Sequence, residues 1–148
     1  KHAGDVHGST VMHVSAQAGH VEVVRWLCEA GAPKDAVDGC GFTPMHHAAY
    51  FDYVEVVSSL CGAGAQMDVV APAGGTPMSQ AAKAGQIDVV RLLCESGAQK
   101  DAETASGITP LHVAAQCGHS EVVRLLCEAG VQKDSLSSDG IMPMHEAA

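Results

Sequence analysis

Thr43-Pro44-Met45-His46-His47-Ala48-Ala49 decides the fold, because the same phrase returns through the chain at a constant step. Thr10-Val11-Met12-His13 stands 33 residues before it, and Thr76-Pro77-Met78-Ser79, Thr109-Pro110-Leu111-His112 and Met142-Pro143-Met144-His145 stand 33, 66 and 99 residues after it. A second phrase, Gly19-His20-Val21-Glu22-Val23-Val24-Arg25-Trp26-Leu27-Cys28-Glu29-Ala30-Gly31, keeps the same step and returns at 52–64, 85–97 and 118–130. No insertion or deletion breaks either series. Two phrases locked to one period describe a single supersecondary unit copied in tandem.

The chemistry of the phrases predicts what that unit is. Thr43 offers a hydroxyl as helix N-cap, and Pro44 fits the first helical turn, where its missing N–H costs nothing. Met45, Ala48 and Ala49 fall at i, i+3 and i+4 on one face, and the alanines let neighbouring helices approach closely. Asp52, or Gly19, Gly85 and Gly118 in the other copies, ends this first helix. A second helix follows with a buried stripe of Val56, Val57, Leu60 and Cys61, and Gly64 supplies a left-handed stop. The residues ahead of each copy, such as Asp38-Gly39-Cys40-Gly41-Phe42, have the turn formers of a protruding finger. Neither helix buries its apolar face alone, so the units must stack, and three or more are needed for a stable object.

A threonine-proline-leucine-histidine start, a Gly-His-x-x-Val-Val-x-Leu-Leu second phrase and a closing Gly-Ala resemble the ankyrin repeat. The resemblance covers nearly the whole chain and implies an all-α solenoid of stacked helix-turn-helix units with short β-hairpin-like fingers. The units run approximately over 5–37, 38–70, 71–103 and 104–136, with a partial unit at 137–148, as one domain. Neither end looks like a polar capping repeat, so the expectation is a fragment of a longer chain. Departures from the pattern at Val11, Asp52, Ser79 and Met142 suggest a natural array. Ser79 and the finger Ala71-Pro72-Ala73 mark the third unit as the weak link.

The net charge of −9, with only 8 Lys and Arg, opposes nucleic-acid binding, which requires cations to displace phosphate counterions. It makes basic partners the favoured ones. The longest uncharged run, Val69 to Ala82, is broken by Gly and Pro, and no apolar leader opens the chain, so secretion and membrane insertion find no support. Reduced core thiols favour an intracellular compartment, the cytoplasm first, with the nucleus or an organelle interior open.

Candidate chemistry is sparse. Cys28, Cys61, Cys94 and Cys127 recur at one helix position, about 8–10 Å apart in stacked helices, which is too far for disulfides and marks them as packing residues. Cys40 and Cys117 are the exposed exceptions. His13, His46, His112 and His145 occupy the motif position, where the resemblance implies a structural hydrogen bond to neighbouring backbone. His46 and His47 adjoin without a carboxylate or thiolate partner nearby in sequence. His145-Glu146-Ala147-Ala148 opens like a zinc-protease motif, but the repeat frame places an ordinary helix there. No phosphate-binding glycine motif and no interpretable Ser-His-Asp set exists. Neither an enzyme activity nor a cofactor, metal or small-molecule substrate is expected. Trp26 stands where Leu92 and Leu125 stand elsewhere, so it is expected in the core. Asp35, Asp68, Asp101 and Asp134 are expected to stabilise the turns they occupy. Arg25, Arg91 and Arg124 are expected to pair with acids one turn earlier.

Variable positions against a constant framework are where binding can be tuned. The resemblance puts these on the fingers and on the concave face of the first helices. Carried over, it selects Gln17 in the first unit, Cys40, Phe42, Tyr50 and Phe51 in the second, Lys83 in the third, Ile108 and Gln116 in the fourth and Ile141 in the fifth. All five aromatics fall between residues 26 and 53, and Phe42, Tyr50 and Phe51 are the expected anchors for a protein partner. The function expected is therefore protein–protein recognition or scaffolding without catalysis. The alternatives are a regulatory ankyrin segment of a larger enzyme or channel and, behind it, a metal-binding or catalytic protein.

Overall fold

The computed structural model describes residues 8–72 and 74–130, and within them eight helices follow one another in pairs. The first members are α1 (Val11–Ala18), α3 (Pro44–Tyr50), α5 (Pro77–Ala84) and α7 (Pro110–Gln116). The second members are α2 (Val21–Glu29), α4 (Val54–Gly62), α6 (Ile87–Glu95) and α8 (Ser120–Glu128). Each first helix packs on the next first helix, each second helix on the next second helix, and each pair on itself. Two helical layers thus run along the array with one continuous core between them.

The helix starts follow from the motif. Thr10, Thr43, Thr76 and Thr109 each accept a hydrogen bond from the backbone N–H three residues on, and proline occupies the first turn of α3, α5 and α7. In α1, α3 and α7 the histidine at that third position completes a reciprocal capping box. In α3 its Nδ1 accepts from the Thr43 N–H at 2.9 Å and lies 2.9 Å from the Thr43 hydroxyl. An accepting Nδ1 fixes the proton on Nε2, and Nε2 donates across the repeat boundary to the Gly75 carbonyl at 2.8 Å. His13 does the same to the Phe42 carbonyl at 2.9 Å. One side chain therefore caps its own helix and holds the next finger. Burial pushes the His46 pKa down to about 4, against the opposing effect of the Gly75 bond.

The core consists of Met12, Met45, Met78 and Leu111 with the paired alanines 48–49, 81–82 and 114–115, closed by Val and Leu of the second helices. Leu60, Leu93 and Leu126 are completely buried. Truncating one of them to Ala would cost about 2–5 kcal/mol. Asp35 Oδ1 accepts from the Gln66 N–H and Asp68 Oδ1 from the Gln99 N–H, both at 2.9 Å. These carboxylates were expected to act within their own turns; instead they tie each loop to the next, because stacking brings the following loop's free amide alongside. Arg25–Glu22, Arg91–Asp88 and Arg124–Glu121 form the expected exposed pairs at 3.2, 3.1 and 3.0 Å.

The fingers are hairpin-like as expected, and one further expectation, that for Trp26, changes. The fingers contain no strands among the described residues: each is one turn, closed by Asp38 N–H to Phe42 O, Ala71 N–H to Gly75 O or Thr104 N–H to Ile108 O. Five residues are too few for a ladder, and Ala71 and Gly75 make only an isolated bridge. Trp26 is not core but 65% exposed. Its face of α2 is covered by no helix among the described residues, and Val23 on that face is 41% exposed whereas its counterparts Val56, Val89 and Val122 are buried. Cys28, Cys61, Cys94 and Cys127 are half-buried free thiols, and burial raises the first three. Among the described residues no helix is long and apolar enough to cross a membrane.

Candidate functional site

The second finger is braced differently from the third. Asp38 Oδ1 accepts from the Cys40 and Phe42 N–H groups at 2.9 and 3.0 Å, shaping the turn from inside. Its other oxygen, Oδ2, lies 2.9 Å from His47 Nε2, so finger and α3 are clasped by one carboxylate. His47 was expected to lack such a partner. The finger folds back over the helix start and brings together residues nine positions apart, a pairing with no fixed period to betray it. Burial alone would raise the Asp38 pKa, but the bonds from His47, Phe42 and Cys40 outweigh it and hold the carboxyl below its ordinary value.

Phe42 rests on this clasp. Its ring centroid lies 5.3 Å from that of His46 and 5.6 Å from that of His47. Its far edge meets Gly74 of the third finger, where a Cβ would come within 2.5 Å of Cε1. Glycine is required there by close approach. Tyr50 and Phe51 close α3, with rings at right angles and centroids 5.1 Å apart, and Tyr53 lies 6.2 Å beyond. Tyr50 is 38% and Phe51 42% exposed.

Between fingers and first helices run two adjoining cavities. One, of about 370 Å³, is lined by Gln17, Phe42, His46, His47, Tyr50, Phe51, Gln80 and Lys83. The other, of about 340 Å³, has the third and fourth fingers on one side and Ser79, Gln80, Lys83, Val113, Gln116 and Cys117 on the other. Gln80 and Lys83 line both, so the pair forms a single groove. The ends of its helices are tied to the following units: the Tyr50 carbonyl accepts from Gln86 Nε2 at 2.9 Å and the Lys83 carbonyl from His119 Nε2 at 3.0 Å.

Of the residues selected from sequence, Phe42, Tyr50, Phe51, Gln17 and Lys83 meet in the first cavity, and Lys83, Ile108 and Gln116 in the second. Cys40 is exposed in the second finger but lines neither cavity. Ile141 lies outside the described residues. Sequence reasoning missed His47 and Gln80 as groove residues. Both replace the aliphatic Val14 and Val113 of the other units, so a polar side chain at an otherwise apolar position was the available signal. Among the described residues no three His, Cys, Asp or Glu side chains converge as metal ligands would.

The stacked pairs, their shared core and the histidines that bridge successive units define a helical repeat solenoid. More narrowly, a family model described as Ankyrin repeats (3 copies) matches residues 1–71 and again residues 55–137, and the chain belongs to that family. Ankyrin repeats are generally protein–protein interaction modules and typically non-catalytic. No curated protein matches the chain.

Proposed function

We propose that the chain is a protein-recognition module that docks a partner in the groove between its fingers and first helices, without catalysis. What supports this most is that Phe42, Tyr50 and Phe51, which break the repeat pattern, line one cavity with Gln17 and Lys83. A repeat framework needs no aromatic at these positions, since the other units have Ser, Gly or Ile in place of Phe42, Gln or Lys in place of Tyr50 and Ala or Cys in place of Phe51. Exposed aromatics held on a rigid base bind with little loss of side-chain freedom. The groove is held by core packing and cross-repeat hydrogen bonds, so little ordering is required on binding. All six cysteines are free, which fits an intracellular, reducing compartment, the cytoplasm first.

Phe42 also packs between α3 and the third finger, so its loss would affect stability as well as binding. Tyr50→Ala and Phe51→Ala separate the two. Affinity capture by the whole chain, followed by mass spectrometry, identifies partners, and binding is then measured for each variant. Phe51→Ala is expected to weaken binding by about 2 kcal/mol, roughly 30-fold, with an unchanged melting temperature. Unaltered affinity in both variants would discard the groove as the docking surface.

A further inference from the structure

The whole molecule is acidic, yet its groove is not. Of the described residues that line either cavity, none is Asp or Glu, and Lys83 is the one lysine or arginine. The arginines are elsewhere and occupied: Arg25, Arg91 and Arg124 each pair with an acid on the outer helices. Asp38, the carboxylate of the second finger, is taken up by His47 and two backbone amides. Lys83 is exposed, makes no ion pair among the described residues, and stands where the two cavities join.

We propose that the groove selects an extended peptide whose central residue is a carboxylate, set on Lys83, with an apolar side chain on either side. This rests on the groove being the docking surface and names the chemistry it accepts. It runs against the basic partner that net charge alone favours, because total charge governs the long-range field while the groove lining governs the contact. The spacing follows from the repeat. Tyr50, Lys83 and Gln116 hold equivalent positions on consecutive first helices, and packed helices lie about 8–10 Å apart. An extended chain covers that in about three residues at ~3.3 Å each. The recognised pattern is therefore apolar, two residues, acidic, two residues, apolar. The first apolar group meets Tyr50 and Phe51, and the last meets Ile108 and Val113 in the second cavity.

Selection from a phage-displayed library of random linear peptides, with the whole chain as bait, tests this. Enriched sequences are expected to carry Asp or Glu flanked at about three residues by apolar side chains. A synthetic peptide of the consensus should bind Lys83→Ala about tenfold more weakly at low salt. The loss should shrink as salt screens the contact, over about 8 Å at physiological ionic strength. Replacing the peptide's acid by its amide should cost the same in the wild type and nothing further in Lys83→Ala, and Lys83→Glu should select peptides with Lys or Arg at that place. Enriched peptides without a central acid, or losses from Lys83→Ala and from the amide peptide that simply add, would overturn the carboxylate assignment while the groove stands. If no family is enriched, or if Phe51→Ala binds the consensus as well as the wild type does, the groove reading falls and this inference with it.

Discussion

The second and third helix pairs share backbone, core positions and helix starts, yet they hold their fingers with different side chains. In the second, Asp38 braces the turn and His47 clasps it to α3, while His46 caps the helix and reaches the Gly75 carbonyl of the next finger. In the third, Ala71 has no side chain to brace with, and Gln80 replaces the clasp by donating to the Gly74 carbonyl at 3.0 Å. Ser79 bonds to Thr76 and extends to no residue of the fourth finger. The local job is done in both units; the bond from this helix position to the next finger is made in the second and not in the third. Framework drift is thus tolerated within a unit, where another short side chain can substitute, and felt at the next finger, which the His46 ring reaches and the Ser79 hydroxyl does not.

The largest test of this contrast removes the spanning ring. His46→Ala deletes the ring's buried hydrogen bonds and leaves the Thr43 amide and hydroxyl proton without their acceptor, at a cost of about 3 kcal/mol, which a denaturant titration would measure. Ser79→Ala, which has no boundary link to lose, should cost about 1 kcal/mol. Equal losses would break the comparison.

Acid should act on the same group. His46 has its pKa lowered from 6.5 to about 4 in the folded chain, so between those values the unfolded chain takes up a proton that the folded chain refuses. Stability is therefore complete above about pH 6.5, falls as the pH drops toward 4 and levels off below. The gap amounts to about 3 kcal/mol at 1.36 kcal/mol per pH unit. His13, lowered by burial as well, adds in the same direction. Thermal melts from pH 7 to 4 should show this slope, and His46→Gln should flatten much of it.

Smaller effects sharpen the contrast. Ser79→His would supply the missing ring opposite the Ile108 carbonyl, with an expected gain of about 1 kcal/mol, or roughly 2–4 °C in Tm for a chain of this size. The turn after the first helix offers a reverse test, because here the second unit is the poorer one. Asp52 adopts φ 66°, where the third unit has Gly85 at φ 76°. Burial and the nearby Asp88 also raise its carboxyl pKa. Asp52→Gly should add up to about 1 kcal/mol by relieving the left-handed backbone, read as a rise in Tm.

The residues that depart from expectation share one physical trait. Val56, Leu60, Thr43 and His46 recur with the period, and a periodic residue meets the same neighbour in every unit, so its role could be inferred once and copied. Trp26 obeys the period in sequence but not in environment, since its face of α2 is uncovered among the described residues. The carboxylates Asp35 and Asp68 are periodic as well, but their partners lie 31 residues ahead, in the following unit. The candidate groove was legible as a set of variable positions, and the aromatic cluster was visible as a break in composition. That Gln80 and Lys83 join two cavities was not, because it depends on how far each finger overhangs its helix.

By itself the sequence determined the repeat, the helix starts and stops, and the buried Val, Leu, Met and Ala stripes. All of these are set within one unit by capping chemistry and by the 3.6-residue turn. Tertiary structure alone decided the Asp38–His47 clasp, the loop-to-loop carboxylate bonds, the exposure of Trp26 and the acid-free lining around Lys83. Each of those depends on distances between units, and such distances arise from the stacking of surfaces, which no local pattern encodes.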